Sequence, residues 1–239
     1  MIGRVTPKRM LPAPLPVLSL RPGERATVHM IASLLLEYPD ETWFARLPVL
    51  RTHAASLPAR VAELFAGFLD AAEAAGPTPW QQQYVRTFDL KRKCSLYLTY
   101  YATGDTRRRG AALVAFLDGY RAAGWEFDAP ELPDYLPAVL ELSALSDSPI
   151  GADLLSAHRE GIEVLRFALE QLDSPWAAVV RAVTLSLPPI DERTRERYLR
   201  LINEGPPAEL VGTDDGMLPP FAAQPRRLDD GNREDAWIR

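Results

Sequence analysis

The feature that most constrains this chain is a helical hydrophobic period sustained from Leu155 to Leu172. Leu155, His158, Ile162, Leu165, Leu169 and Leu172 recur three and four residues apart, as a helix packed along its whole length requires. Such a stripe needs other helices to receive it, and the sequence supplies them. Val28, Ile31, Leu35 and Tyr38 repeat the spacing in a helix that begins near Glu24 and ends at Pro39. A short segment follows from Glu41, then a helix opened by Pro48 in its first turn. From Pro58, the residues Val61, Leu64, Phe65, Phe68, Leu69 and Ala72 share one face until Gly76-Pro77 stops it.

Thr78-Pro79 reads as a cap and first helical position for a helix carrying Tyr84, Val85 and Phe88. Residues 89–94 are polar enough to interrupt it, and 95–102 resume as helix. Leu113, Phe116, Leu117 and Tyr120 stripe the next helix; Leu132, Tyr135, Leu136 and Val139 stripe the one after. Trp176, Val179, Val180, Val183 and Leu187 mark another, and Asp191 caps a last helix to about Asn203. No stretch alternates apolar and polar residues long enough for a strand. The expected fold is all-α, a single-domain multi-helix bundle, since 239 residues suit one well-buried core.

Composition divides the rest of the chain. Residues 1–22 are proline-rich and lack helical period, so they read as an extended arm; Pro7, Pro12, Pro14 and Pro16 also break any secretion-signal core. Residues 23–204 form the helical domain. Residues 205–239, with paired prolines and few aliphatics, read as a flexible tail whose Met217, Leu218 and Phe221 could dock elsewhere. The net charge of -5 argues against nucleic-acid binding. No segment has the roughly 20 apolar residues a membrane span needs, so no membrane insertion is expected and the location reads as cytoplasmic. The single cysteine, Cys94, excludes an internal disulfide and fits a reducing compartment.

Chemistry of bond making finds little support. Cys94 has no histidine near it in sequence and is read as a small packing residue. His29, His53 and His158 are scattered with no metal-ligand spacing, and His158 fits a hydrogen-bonded core position. There is no phosphate-binding glycine motif. No catalytic residue, metal site or cofactor is assigned. Arg107, Arg108 and Arg109 read as a solvated helix start.

A binding reading is better supported. Tyr84, Phe88, Tyr97 and Tyr101 are core by default, yet tyrosine's apolar body and polar tip also suit a groove that contacts a partner helix. Glu131 and Asp134, on a proline-stiffened turn beside Tyr135, can present negative charge at a fixed place. Asp134 can equally cap the helix that Tyr135 and Leu136 begin. Both readings stay open.

An ordered set of residues runs through this region: Tyr84-Val85, Thr87-Phe88-Asp89, Ser95 to Tyr101, Gly104-Asp105-Thr106-Arg107, Arg109-Gly110, Tyr120-Arg121, Ala123-Gly124 and Glu131 to Pro137. That set resembles the nitrate reductase delta-subunit family of NarJ-type assembly chaperones, within the wider TorD/DmsD superfamily, from about residue 26 to 187. The resemblance implies a non-catalytic cytoplasmic chaperone. Its partner would be the apo catalytic (alpha) subunit of respiratory nitrate reductase, including that subunit's N-terminal segment. It would support molybdenum cofactor insertion and prevent premature membrane attachment. In the wider superfamily the corresponding turn ends in histidine and helps bind a leader peptide; here Tyr135 takes the histidine's place. The implied client site comprises Tyr84, Phe88, Tyr97, Tyr101, Glu131, Asp134 and Tyr135, with client basic residues facing the two carboxylates. Replacing Glu131 and Asp134 together is expected to weaken client binding and leave the fold intact. The alternatives are a chaperone for a different molybdoenzyme and, from another class, a Cys94-dependent thiol enzyme.

Overall fold

Pro22 opens α1 (Pro22–Leu36), with Glu24 reaching back to the Arg21 N–H at 2.8 Å. This helix is the axis of the molecule in the computed structural model, which describes Leu15, residues 18–104 and residues 106–187. The expected helix from Asp191, the tail with Met217, Leu218 and Phe221, and most of the N-terminal arm lie outside the described residues. Where the arm is described it reaches the core: Leu20 is buried, and the Leu18 N–H donates to the Leu185 carbonyl at 3.4 Å.

The elements that follow α1 are α2 (Glu41–Ala55), α3 (Ala59–Ala75) and α4 (Pro77–Tyr84). Then come a π-helical turn (Val85–Asp89) and a 3-10 turn (Arg92–Cys94), and after them α5 (Leu98–Thr103) and α6 (Arg108–Ala122). The described chain finishes with α7 (Leu136–Leu145), α8 (Ile150–Ala157), α9 (Arg159–Gln171) and α10 (Trp176–Ser186). The fold is all-α. Helix α1 packs against α7, α10 and α2, while α10 also packs on α3 and α9.

Among the boundaries that differ from the sequence expectation, those of α2, α4 and the long C-terminal stripe each have a physical reason. Helix α2 runs through Pro48 rather than starting there. Asp40 caps it by accepting the Trp43 N–H at 2.8 Å, and Trp43, Leu47, Leu50 and Ala54 bury one face on both sides of the proline. Packing there outweighs the proline's local cost. Helix α4 starts at Pro77, because Gly76 at φ 74° turns the chain sharply enough to begin one residue after α3. The long stripe from Leu155 to Leu172 is two helices. His158 breaks it, with Nδ1 bonded to the Leu154 carbonyl at 2.9 Å and its ring 4.8 Å from that of Phe116. A one-residue break keeps Leu155 and Ile162 both in the core, so the spacing does not register it.

The described end of α1 is closed by side chains from three other elements. The Trp43 indole donates to the Leu34 carbonyl at 2.8 Å, the Trp176 indole to Leu35 at 3.1 Å, and the Tyr84 hydroxyl to Leu36 at 3.0 Å. Around these donors Phe68, Trp80, Trp176 and Phe88 form a continuous aromatic cluster. Helix α9 also buries charge: Glu163 accepts from Arg166 Nε at 2.8 Å and lies 3.5 Å from Arg159 Nη2, while Arg166 Nη1 donates to Glu170 at 2.6 Å. All three of Arg159, Glu163 and Arg166 are buried, so the polar face of this helix is a packed ion-pair ladder rather than a solvated surface.

The segment around the acidic turn is fixed by a single antiparallel bridge between Tyr97 and Tyr135. The Leu98 N–H donates to the Asp134 carbonyl at 3.0 Å, and the Leu136 N–H to Leu96 at 2.7 Å. Asp134 is fully buried, and its Oδ2 accepts both the Thr99 N–H at 3.0 Å and the Thr99 hydroxyl at 2.6 Å. It therefore caps α5, a different helix from the one that follows it in sequence. Asp134→Asn is expected to destabilise the protein by about 1–3 kcal/mol in urea denaturation, whereas Glu131→Gln, at an exposed position, changes stability by less than about 0.5 kcal/mol. Equal effects would contradict the capping role; with Asp134 buried as a cap, replacing both carboxylates is no longer expected to leave the fold intact.

His29 joins α1 to two neighbours, with Nδ1 2.9 Å from the Ser143 hydroxyl on α7 and Nε2 2.8 Å from the Ser186 hydroxyl on α10. Ser186 spends its own proton on the Val183 carbonyl at 2.6 Å, so Nε2 is the donor and Nδ1 accepts from Ser143. Burial, reinforced by Arg25, pushes the His29 pKa down to about 3. The unfolded chain binds a proton here near pH 6.5 and the folded chain does not, so stability falls as pH drops below about 6.5. Between pH 7 and pH 5 the wild type is expected to lose roughly 2 kcal/mol more than His29→Gln in urea melts. Parallel losses in the two proteins would contradict this.

Candidate functional site

An open cavity of about 550 Å³ lies where the π-helical turn, the start of α5 and the acidic turn converge. Each wall follows from local structure. Tyr84 at the end of α4 is anchored by its bond to Leu36, and Phe88 one turn later packs on it with ring centroids 4.7 Å apart. Tyr38 lies beyond the end of α1, half exposed, and meets Tyr84 edge-on at 5.5 Å. Tyr97 and Tyr135, opposed across the bridge, meet as tilted rings with centroids 5.5 Å apart and form the other wall with Tyr100.

Charge is confined to the rim. The Tyr97 hydroxyl donates to Glu131 Oε2 at 2.5 Å, and the Arg109 guanidinium carbon lies 5.5 Å from the centre of the Tyr97 ring. Asp89 and Arg92 also line the cavity, and Leu132 adds an exposed apolar edge. Burial holds the Tyr84 and Tyr97 hydroxyls well above the ordinary tyrosine range, and it pushes Tyr135 up to about 12. These rings stay neutral at physiological pH.

Of the residues expected at the site, Tyr84, Phe88, Tyr97, Glu131 and Tyr135 line one cavity. Tyr101 and Asp134 do not. Tyr101 is buried, with its hydroxyl donating toward the Lys93 and Ser95 carbonyls and its ring seated over Gly161 of α9, where a Cβ would come within 2.8 Å. The spacing argument linking Tyr97 to Tyr101 required both to be helical. Tyr97 is extended (φ -96°, ψ 116°) and precedes α5, so Tyr100 is the α5 tyrosine that reaches the cavity instead. Tyr38, Arg109 and Leu132 were also missed as site residues. Tyr38 continued the α1 stripe in sequence, but the helix ends two residues before it. Leu132 matched the α7 period, yet α7 begins only at Leu136 and leaves Leu132 on the rim.

Cys94 is buried near these elements. Burial pushes its thiol up to about 11, opposite to the shift a nucleophile requires. No helix among the described residues is long and apolar enough to cross a membrane.

Comparison with known proteins places this geometry in context. The family model described as nitrate reductase delta subunit matches residues 54–182, which span α3 to α10 and contain every cavity residue except Tyr38. The chain is 30% identical over 171 residues to the probable nitrate reductase molybdenum cofactor assembly chaperone NarJ of Bacillus subtilis, covering 71% of this chain and 93% of that protein. It is 33% identical over 153 residues to NarJ of Escherichia coli K12, a nitrate reductase molybdenum cofactor assembly chaperone, covering 63% of this chain and 65% of that protein. It is 37% identical over 156 residues to the nitrate reductase-like protein NarX of Mycobacterium tuberculosis, covering 65% of this chain but only 24% of NarX, so it spans about a quarter of that relative's length. On these matches the chain belongs to the nitrate reductase delta subunit family.

Proposed function

We propose that this protein is an assembly chaperone for nitrate reductase, acting by binding rather than by catalysis. It holds the apo catalytic subunit through that subunit's N-terminal segment while the molybdenum cofactor is inserted, in the cytoplasm and before membrane attachment. Membership of a family that includes assembly chaperones supports the role. The observation that carries the site is the aromatic cavity of about 550 Å³ with an exposed apolar rim at Tyr38 and Leu132.

The physical logic is helix-in-groove recognition. A client segment lays an apolar side chain over Phe88, Tyr84 and Tyr100, while Leu132 and Tyr38 close over its flanks. The tyrosine hydroxyls of Tyr84 and Tyr97 are already committed to Leu36 and Glu131. The floor therefore offers ring surface and makes few demands on the client's exact sequence. An affinity near micromolar, about -8 kcal/mol, suits a partner that must later leave.

Co-purification of the nitrate reductase catalytic subunit, with and without its N-terminal segment, tests the assignment. The full-length subunit is expected to be retained and the truncated one lost. Retention of both would remove the segment from the site, and capture of a different molybdoenzyme in place of nitrate reductase would reassign the client. Leu132→Asp places a charge on the apolar rim without touching the core and is expected to weaken binding of the N-terminal peptide about tenfold or more by calorimetry. Val49→Asp, at a more exposed apolar position on α2 outside the cavity, should leave it unchanged.

A further inference from the structure

The Tyr97 end of the cavity already holds a cation. Arg109, on the first turn of α6, places its guanidinium carbon 5.5 Å from the Tyr97 ring centroid, within the range of a cation–π contact. The Tyr135 ring adjoins Tyr97 at 5.5 Å, so two electron-rich rings meet at this point. Beside them stands Glu131, whose Oε2 accepts the Tyr97 hydroxyl. Glu131 and Asp89 are both exposed on the cavity, and among the described residues neither takes part in an ion pair. Aromatic faces, a seated guanidinium and two carboxylates without a cationic partner are what an arginine or lysine side chain would recognise.

We propose that this end of the cavity is a subsite for one guanidinium or ammonium side chain of the client segment, and that Arg109 occupies it in the free protein. The proposal rests on the client-docking reading above and adds the chemistry of the anchor. An incoming arginine takes over the stack on Tyr97 and gains Glu131, a carboxylate that Arg109 does not pair with. Exchanging one cation for another leaves the local charge unchanged. A neutral side chain that displaced Arg109 would forfeit the cation–π contact and gain no ion pair, so the pocket discriminates against it.

The test uses the full chain and two small probes at constant ionic strength, N-butylguanidinium chloride and its neutral isostere N-butylurea, read by the ring resonances of Tyr97 and Tyr135. The guanidinium is expected to shift both rings saturably and the urea is not. Arg109→Met, which keeps the apolar stem, should tighten guanidinium binding roughly three- to tenfold, and Glu131→Gln should weaken it by a similar factor. Equal responses to the two probes, or an Arg109→Met protein that binds the guanidinium no better than wild type, would overturn the subsite. A second arm titrates the catalytic subunit's N-terminal peptide and a version with each arginine replaced by citrulline and each lysine by norleucine. Binding of both peptides alike removes the cation subsite but leaves docking intact. Guanidinium binding without peptide binding keeps the subsite and removes the client assignment.

Discussion

The carboxyl end of α1 is the constraint on which the rest of the structure depends. The last carbonyls of a helix have no partner within it, and a buried end left open costs about 1–3 kcal/mol per group. Pro39 prevents the chain from continuing the helix, and no basic residue stands in the last turn. Three aromatic donors from α2, α10 and α4 supply the missing bonds to Leu34, Leu35 and Leu36. Each donor's ring also belongs to the aromatic core, with Trp176 touching Phe68, Trp80, Tyr84 and Phe88. One helix end thus fixes the depth and orientation of three others. It also fixes Tyr84 and Phe88, the floor of the cavity.

The opposite wall is held by a different device. Helix α5 has six residues, too short to persist on its own. Its first N–H groups are taken by the Asp134 carbonyl and carboxylate, delivered by the bridge between Tyr97 and Tyr135. The acidic turn is therefore divided in its duties. Asp134 points inward and holds the wall together, while Glu131, three residues earlier, stays at the surface beside Tyr97. The cavity exists because these two independently fixed walls face each other.

This division explains what could be read from the sequence. The helical stripes were legible because burial imposes a local period, and the core residues Val28, Ile31, Phe65, Phe68, Ile162 and Val183 lie where that period puts them. Five of the seven expected site residues share the cavity, which forms where the α-helices are interrupted at 85–97 and 131–135. Tyr101 and Asp134 were misplaced because their partners are distant: Gly161 receives one ring and Thr99 the other carboxylate. Nothing local distinguishes a cap for the next helix from a cap for one that ended about 30 residues earlier. The burial of the ladder of Glu163 with Arg159 and Arg166 was invisible for a different reason, since charges at helical spacing ordinarily mark a solvated face.

The arrangement of hydroxyl groups carries the functional argument one step further. A tyrosine-lined pocket can recognise a partner through hydrogen bonds or through ring surface. Here Tyr84 spends its hydroxyl on α1 and Tyr97 on Glu131, and burial keeps Tyr84, Tyr97 and Tyr135 in the neutral form. Ring faces tolerate many apolar side chains, whereas charge discriminates sharply only where it lacks a partner. On the proposed function, selectivity in this cavity falls to its edge, where the Asp89 and Glu131 carboxylates are exposed. A floor that accepts and a rim that selects would suit the proposed role, in which a client is recognised while still incomplete and then released.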